Sequence, residues 1–146
     1  AVSNARELGR LVGENGWVLI SGGRDAGVMK AANVGAKQAK ESLTIGILPD
    51  GTTEVSPDVD VAIVTDMGEA RNNIIVLSAD VVIACGVDNP GTASEVALAI
   101  KGGKPVILLG ADEAASDFFR GVGGDRVYVT SNANEAIKIT SDLAGS

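Results

Sequence analysis

The chain has 146 residues, 45% of them hydrophobic and only 3% aromatic, with a formal net charge of −7. That length and apolar content fit one ordinary domain with a sizeable core of Val, Ile, Leu and Ala, and they exclude a disordered chain. The acidic balance excludes a general nucleic-acid or membrane-surface binder, because polyanions would be repelled, yet it leaves room for a small anion in a locally positive pocket. A single cysteine, Cys85, allows no intrachain disulfide or Cys-based zinc site and goes with a reducing, cytoplasmic-type compartment. With no histidine, Ser-His-Asp and Cys-His catalysis are unavailable. No apolar run is long enough to span a bilayer.

In chain order, helix and strand alternate. Ser3 can cap a first helix through about Glu14, with Ala5, Leu8, Leu11 and Val12 on one face, and Asn15-Gly16 ends it. Trp17 to Ile20 reads as a strand, Val28 to about Lys40 as a helix with an Ala-rich inner face, and Leu43 to Leu48 as a strand closed by Pro49-Asp50-Gly51. Val59 to Val64 is a strand, and Gly68 to about Ser78 a helix presenting Ile74, Ile75 and Leu77. Val81 to Cys85 is a nearly continuous apolar strand, expected to be central. Thr92 to Lys101 is a helix, Pro105 to Leu109 a strand, Glu113 to Arg120 a helix, Arg126 to Thr130 a short strand, and Asn132 opens a last helix through about Leu143. This order predicts an α/β fold: a doubly wound, Rossmann-like parallel sheet with helices on both faces, in a single domain covering residues 1–146. Such domains usually begin on a strand, so an N-terminal strand is expected to be missing from this sequence.

Three glycine-bearing turns each follow a strand and lead into a helix: Ser21-Gly22-Gly23-Arg24-Asp25-Ala26-Gly27, Thr65-Asp66-Met67-Gly68, and Gly86-Val87-Asp88-Asn89-Pro90-Gly91-Thr92. Helix starts offer unpartnered N–H groups and partial positive charge, which suits an anion. In a doubly wound sheet these turns are expected to converge at the carboxyl edge. Gly22, Gly23 and Gly27 allow close backbone approach to a phosphate, although the turn is neither a Walker A sequence nor a GxGxxG. Arg71, in the first turn of the helix that Gly68 opens, opposes the helix dipole unless an anion binds there; alternatively it points away and pairs with Glu69 or Asp66. Arg24 is a second candidate cation. Thr92-Ala93-Ser94-Glu95 has the pattern of a capping box, and Glu95 could also act as a general acid/base or accept from a ribose or ring hydroxyl. Asn132-Ala133-Asn134-Glu135 repeats the pattern in a structural role. Cys85 reads as a small core hydrophobe. Asp60, Asp66 and Asp88 lie near strand ends with no spacing specific for a metal.

These residues also carry a resemblance. Ser21-Gly22-Gly23 with Gly27-Val28-Met29, Ile45-Gly46-Ile47-Leu48-Pro49, Gly68-Glu69-Ala70-Arg71-Asn72 and Pro90-Gly91-Thr92 with Glu95 resemble the LOG-like Rossmann superfamily, whose best-known members are nucleoside 5′-monophosphate phosphoribohydrolases. The stretches Gly68 to Asn73, Gly91 to Ala99 and Lys104 to Gly110, with Phe118-Phe119, are similar to the molybdenum-cofactor carrier proteins within it. The phosphoribohydrolases carry Arg-Lys where this chain has Arg71-Asn72, and a longer glycine loop where it has Asp88 to Glu95.

The resemblance implies a carrier that binds, protects and transfers the molybdenum cofactor (molybdopterin) without turnover. It points to Gly22, Gly23, Arg24, Gly27, Gly68, Arg71, Asn72, Gly91, Thr92 and Glu95 as cofactor-binding. It also implies a homodimer or homotetramer and a molybdoenzyme acceptor. In the hydrolase alternative, Arg71 and Glu95 are catalytic.

Overall fold

The computed structural model describes residues 1–144 and divides into two compact units, Ala1–Ile75 and Val76 onward. Among the described residues there are six α-helices and six strands in strict order along the chain. In the first unit, α1 (Val2–Glu14) precedes β1 (Val18–Ser21), α2 (Gly27–Ala36), β2 (Leu43–Leu48) and β3 (Val61–Val64). A 3-10 turn (Gly68–Ala70) leads into α3 (Arg71–Ser78). In the second unit, β4 (Val82–Cys85), α4 (Pro90–Lys101), β5 (Val106–Leu109), α5 (Glu113–Gly123), β6 (Val127–Thr130) and α6 (Ala133–Ala144) follow.

All strand pairs are parallel, as the alternation predicts. They form two three-stranded ladders, β1-β2-β3 and β4-β5-β6, where the sequence led us to expect one sheet. β5 is the middle strand of its ladder, and all four of its residues are buried. The central position expected for Val81 to Cys85 therefore belongs to β5, while β4 lies at the edge of its ladder. The reason is visible in burial: Val106, Ile107, Leu108 and Leu109 are apolar on both faces and flanked on both sides, whereas Val82 and Ile83 are only half-buried.

In the first unit α1 packs on α2 through small residues. A Cβ on Gly9 would collide with the Ala32 carbonyl, and one on Gly35 with the Arg6 carbonyl, so the two backbones touch directly. The Ala-rich face of α2 thus serves helix-to-helix contact as well as the sheet. The core there gathers Ala5, Leu8, Val12, Ala31, Ala32, Ala36, Ile47 and Leu48. The second unit has its own cluster of Val76, Ala84, Val96, Ala99, Val106, Leu108, Phe119 and Val127.

Two caps differ from expectation. α1 begins at Val2 with no side-chain cap, so Ser3 lies inside the helix. α4 begins at Pro90, and Asn89 is its cap, accepting from the Thr92 N–H at 3.0 Å. Thr92 is therefore not the cap residue of a box with Glu95: proline, pre-set for the first helical position, moves the start two residues earlier. The cap at Asn132 is as expected, its Oδ1 accepting from the Glu135 N–H at 2.7 Å.

Candidate functional site

The first glycine turn is folded tightly onto the sheet. Gly23 has φ +72, in the left-handed region, and a Cβ on it would lie 2.9 Å from the Gly46 Cα on β2. Only glycine satisfies both conditions at once. The Gly23 carbonyl accepts from the Ser56 N–H at 2.9 Å, and its N–H donates to Ser21 Oγ at 3.1 Å. Gly22 is buried with ordinary φ, and space for a Cβ is taken by Met29 Sδ at 2.8 Å and Arg71 Nη2 at 2.9 Å. Gly27, at the first position of α2, has φ +56 and open space around it.

The second turn carries two left-handed residues, Asp66 at φ 56 and Gly68 at φ 59. It is tied down by the Thr65 hydroxyl donating to the Leu48 carbonyl at 2.8 Å and by the Gly68 N–H donating to the Pro49 carbonyl at 3.0 Å. A non-glycine residue held at positive φ costs energy and is over-represented at functional sites. This corner delivers Arg71 to the first position of α3.

Arg71 is the largest fully buried side chain among the described residues, at 2% exposure. Its Nη1 donates to Asn72 Oδ1 at 2.7 Å and approaches Glu69 Oε2 at 3.4 Å. Its Nε has no hydrogen-bond partner. Of the two alternatives that the sequence offered for this residue, the structure shows the Glu69 pairing without the outward direction. Arg71 does pair with Glu69, but weakly and across a side chain that is itself 75% exposed. It does not point away into solvent, for it lies against Gly22. A buried guanidinium with an orphaned donor, at a helix start whose dipole disfavours it, is a costly arrangement that an anion would relieve.

The structure thus brings Gly22, Gly23, Arg71 and Asn72 together in the first unit. Arg24 is exposed and takes another direction: its backbone bridges Val55, and it lines a hollow of about 270 Å³ with Asp25, Ala26, Thr53 and Glu54. In the second unit, Gly91, Thr92 and Glu95 lie along the first turns of α4, all half-buried. The Thr92 N–H is occupied by the Asn89 cap.

Sequence reasoning passed over Asn33. It is fully buried on α2, and its Nδ2 donates to the Met29 carbonyl at 2.9 Å and to Ser21 Oγ at 3.2 Å. The signal was present: an asparagine amid Ala31, Ala32, Gly35 and Ala36, on the apolar stripe of a helix. Cys85 is buried, and desolvation raises its thiol pKa to about 11, so it is un-ionised at neutral pH. No group of three or more acidic, His or Cys side chains suited to a metal occurs among the described residues. No helix among them is long and apolar enough to cross a membrane.

Residues 1–137 match the SLOG cluster4 family. The chain belongs to that family. An uncharacterized protein of Archaeoglobus fulgidus is 47% identical over 105 residues, which is 72% of this chain and 68% of that protein. The molybdenum cofactor binding protein of Rippkaea orientalis superposes with a TM-score of 0.92 at 50% identity, covering 98% of this chain and 87% of its own. The molybdenum cofactor carrier protein of Chlamydomonas reinhardtii does so with 0.92 at 46% identity, covering 99% and 89%. This SLOG cluster4 member therefore has the Rossmann-like α/β fold of those structures, and the resemblance read from its glycine turns holds.

Proposed function

We propose that this chain binds, protects and hands on the molybdenum cofactor without chemically changing it, with the whole chain acting as one ligand-binding domain. The observation that carries the reading is Arg71: buried, with an unpartnered Nε, and laid against the bare Cα of Gly22. The chain is 50% identical to a molybdenum cofactor binding protein, which names the anion class. The cofactor is a pterin with a terminal phosphate, a dithiolene and an oxidised metal. Each charged end needs fixed donors, and the dithiolene needs shelter from water and oxidants. Arg71 supplies a preorganised fork for an oxyanion. A bound anion would displace the exposed Glu69 carboxylate. Asn72, where the hydrolases carry lysine, holds the guanidinium through Oδ1 and adds no charge.

Gly68 and Gly27 open their helices, and Gly91, Thr92 and Glu95 form the second group of candidate contacts on α4. Arg24 is the peripheral cation of the reading. Assembly as a homodimer or homotetramer, a cytoplasmic location and delivery to a molybdoenzyme complete it.

The deciding test is binding of purified molybdenum cofactor near neutral pH to the wild type and to Arg71→Ala. A loss of roughly tenfold or more is expected for removing a charge-assisted contact. Equal affinity removes Arg71 from the site. Incubation with adenosine monophosphate should release no adenine. Release that vanishes in Glu95→Ala would make this a phosphoribohydrolase instead.

A further inference from the structure

The tightest turn of the candidate site does not present its own backbone donor. The Gly23 N–H points back to Ser21 Oγ at 3.1 Å, and the Gly23 carbonyl is taken by Ser56. Ser21 Oγ accepts a second bond, from Asn33 Nδ2 at 3.2 Å. A hydroxyl oxygen has two lone pairs, and both are now filled by donors, so its own proton must point elsewhere.

The orientation of Asn33 decides this. An amide can be turned over, which would put Oδ1 against Ser21 and let the hydroxyl donate inward. The Met29 carbonyl forbids it: that oxygen sits 2.9 Å from Asn33 Nδ2, and the reversed amide would set two oxygens face to face. The amide keeps both N–H groups on acceptors and leaves Oδ1 without a partner in a fully buried residue. A buried acceptor left unsatisfied is costly, and the fold keeps it while fixing the polarity of its neighbour.

We propose that the Ser21 hydroxyl, turned outward by Asn33, is the hydrogen-bond donor that this loop offers to an anionic oxygen of the ligand, with Asn33 a positioning residue. The proposal rests on the anion-site reading above. Ser21 is half-buried at the end of β1, next to the glycine that packs against Arg71. A chain of bonds runs from the Gly23 N–H through Ser21 outward. Each donor polarises the next, so the hydroxyl is a stronger donor than an isolated serine. Such a group donates to phosphate-like oxygens and rejects a ligand that must donate at this point.

The test uses the full chain, labelled with nitrogen-15 and titrated first with inorganic phosphate and then with purified molybdenum cofactor. In the wild type, phosphate should shift the Gly22 and Gly23 amide resonances. Ser21→Ala should stay folded but melt lower, because the Gly23 N–H and one Asn33 N–H lose their acceptor, and it should lose roughly tenfold in phosphate affinity, the size of one charge-assisted bond. Ser21→Thr, which keeps the hydroxyl, should bind as the wild type does. In Asn33→Asp the buried carboxyl is protonated, its O–H donating to the Met29 carbonyl while the same oxygen accepts the Ser21 proton, which turns the hydroxyl inward. Its loss should match that of Ser21→Ala, and the double variant should lose no more than either.

Phosphate affinity within twofold of the wild type in Ser21→Ala would overturn the proposal, as would a wild type whose loop amides ignore phosphate. Additive losses in the double variant would remove Asn33 from it. Should Asn33→Asp fail to fold, the contrast between alanine and threonine at position 21 decides. Phosphate binding that depends on Ser21, in a protein that takes up no cofactor, would instead fault the choice of ligand and leave the donor in place.

Discussion

Arg71 Nη2 lies 2.9 Å from the point where a Cβ on Gly22 would stand, so the guanidinium occupies the space of a missing side chain. The other atoms in that space are Met29 Sδ, at 2.8 Å, and Met29 Cε, at 3.1 Å. All belong to the ends of flexible side chains, and Gly22 is not in the left-handed region. Gly22→Ala should therefore fold with a stability change of about 1 kcal/mol or less. It should nonetheless push Arg71 out of register and weaken cofactor binding by roughly tenfold. Thermal melts alongside cofactor titration check the pair, and a variant that melts normally and binds normally would contradict it.

The same burial makes Arg71 a liability in the empty protein. Its Nε is unpartnered, and among the described residues its one close carboxylate, on exposed Glu69, stands 3.4 Å away. Replacing a buried charge by an apolar side chain of similar reach is often neutral or stabilising. Arg71→Met should melt at or above the wild-type temperature without ligand, and it should lose the stabilisation that cofactor confers on the wild type. A melting point well below the wild type would show that Arg71 is held for structure.

Much of this was legible in the sequence, and the exceptions have identifiable causes. β2 was bounded without error at Leu43 and Leu48, because Pro49-Asp50-Gly51 is unambiguous turn chemistry and Asp50 takes four bonds from Thr52 and Thr53. The helix from Glu113 and the cap at Asn132 were equally plain. The helix read as running to Lys40 stops at Ala36, since the Lys37 ammonium turns to the Ser42 carbonyl and Asp60. That pairing joins residues far apart in sequence and leaves no local signature. In α3, Leu77 was expected inside and is 48% exposed, with Val76 buried instead. The 3-10 turn at Gly68–Ala70 shifts the helical phase, and no apolar count reveals it. Of the site, Arg71 was visible through its conflict with the helix dipole. The Ser21 and Asn33 pair was not, because it depends on which way an amide faces.

The contact between α1 and α2 makes two glycines irreplaceable for a reason unrelated to turns. On a solvated helix, Gly→Ala gains about 1 kcal/mol. At Gly35 the new methyl would strike the Arg6 carbonyl, and at Gly9 that of Ala32. Backbone cannot step aside as a side chain can. Gly35→Ala should reverse the sign and cost roughly 2–3 kcal/mol, read as a lower denaturation midpoint in urea. Gly121→Ala, on α5 with nothing near the added methyl, is the matched control and should be neutral or stabilising.

Asp60 gives the fold an acid-sensitive fastening. Its carboxylate accepts from the Lys37 ammonium and from the Thr44 N–H at 2.9 Å, and these bonds, the lysine's first, hold its pKa below the ordinary 3.8. The native state therefore binds this proton less readily than the unfolded chain does. The resulting stability is complete above the ordinary carboxylate value and is lost as pH falls through the lowered native value. Asp60→Asn should flatten the acid limb of a melting-temperature profile between about pH 5 and 2. Because the pair is partly exposed, 0.5 M salt should shrink the difference. An unchanged acid limb in the variant would mean that other carboxylates set the acid sensitivity.

Cys85 ends β4 with its thiol buried, and burial lifts its pKa to about 11 from 9.0. Only the thiolate attacks, so at neutral pH the native protein should react with iodoacetamide far more slowly than a free thiol does, and the urea-unfolded chain should react at the ordinary rate. Cofactor should leave the native rate unchanged if the thiol is a core group, as its burial indicates. Protection by cofactor near pH 9, where the thiolate fraction is larger, would instead place Cys85 within reach of the ligand. Cys85→Ala separates the two outcomes without alkylation. A core thiol replaced this way removes one buried atom and should cost stability alone, on the order of 1 kcal/mol, with cofactor affinity preserved.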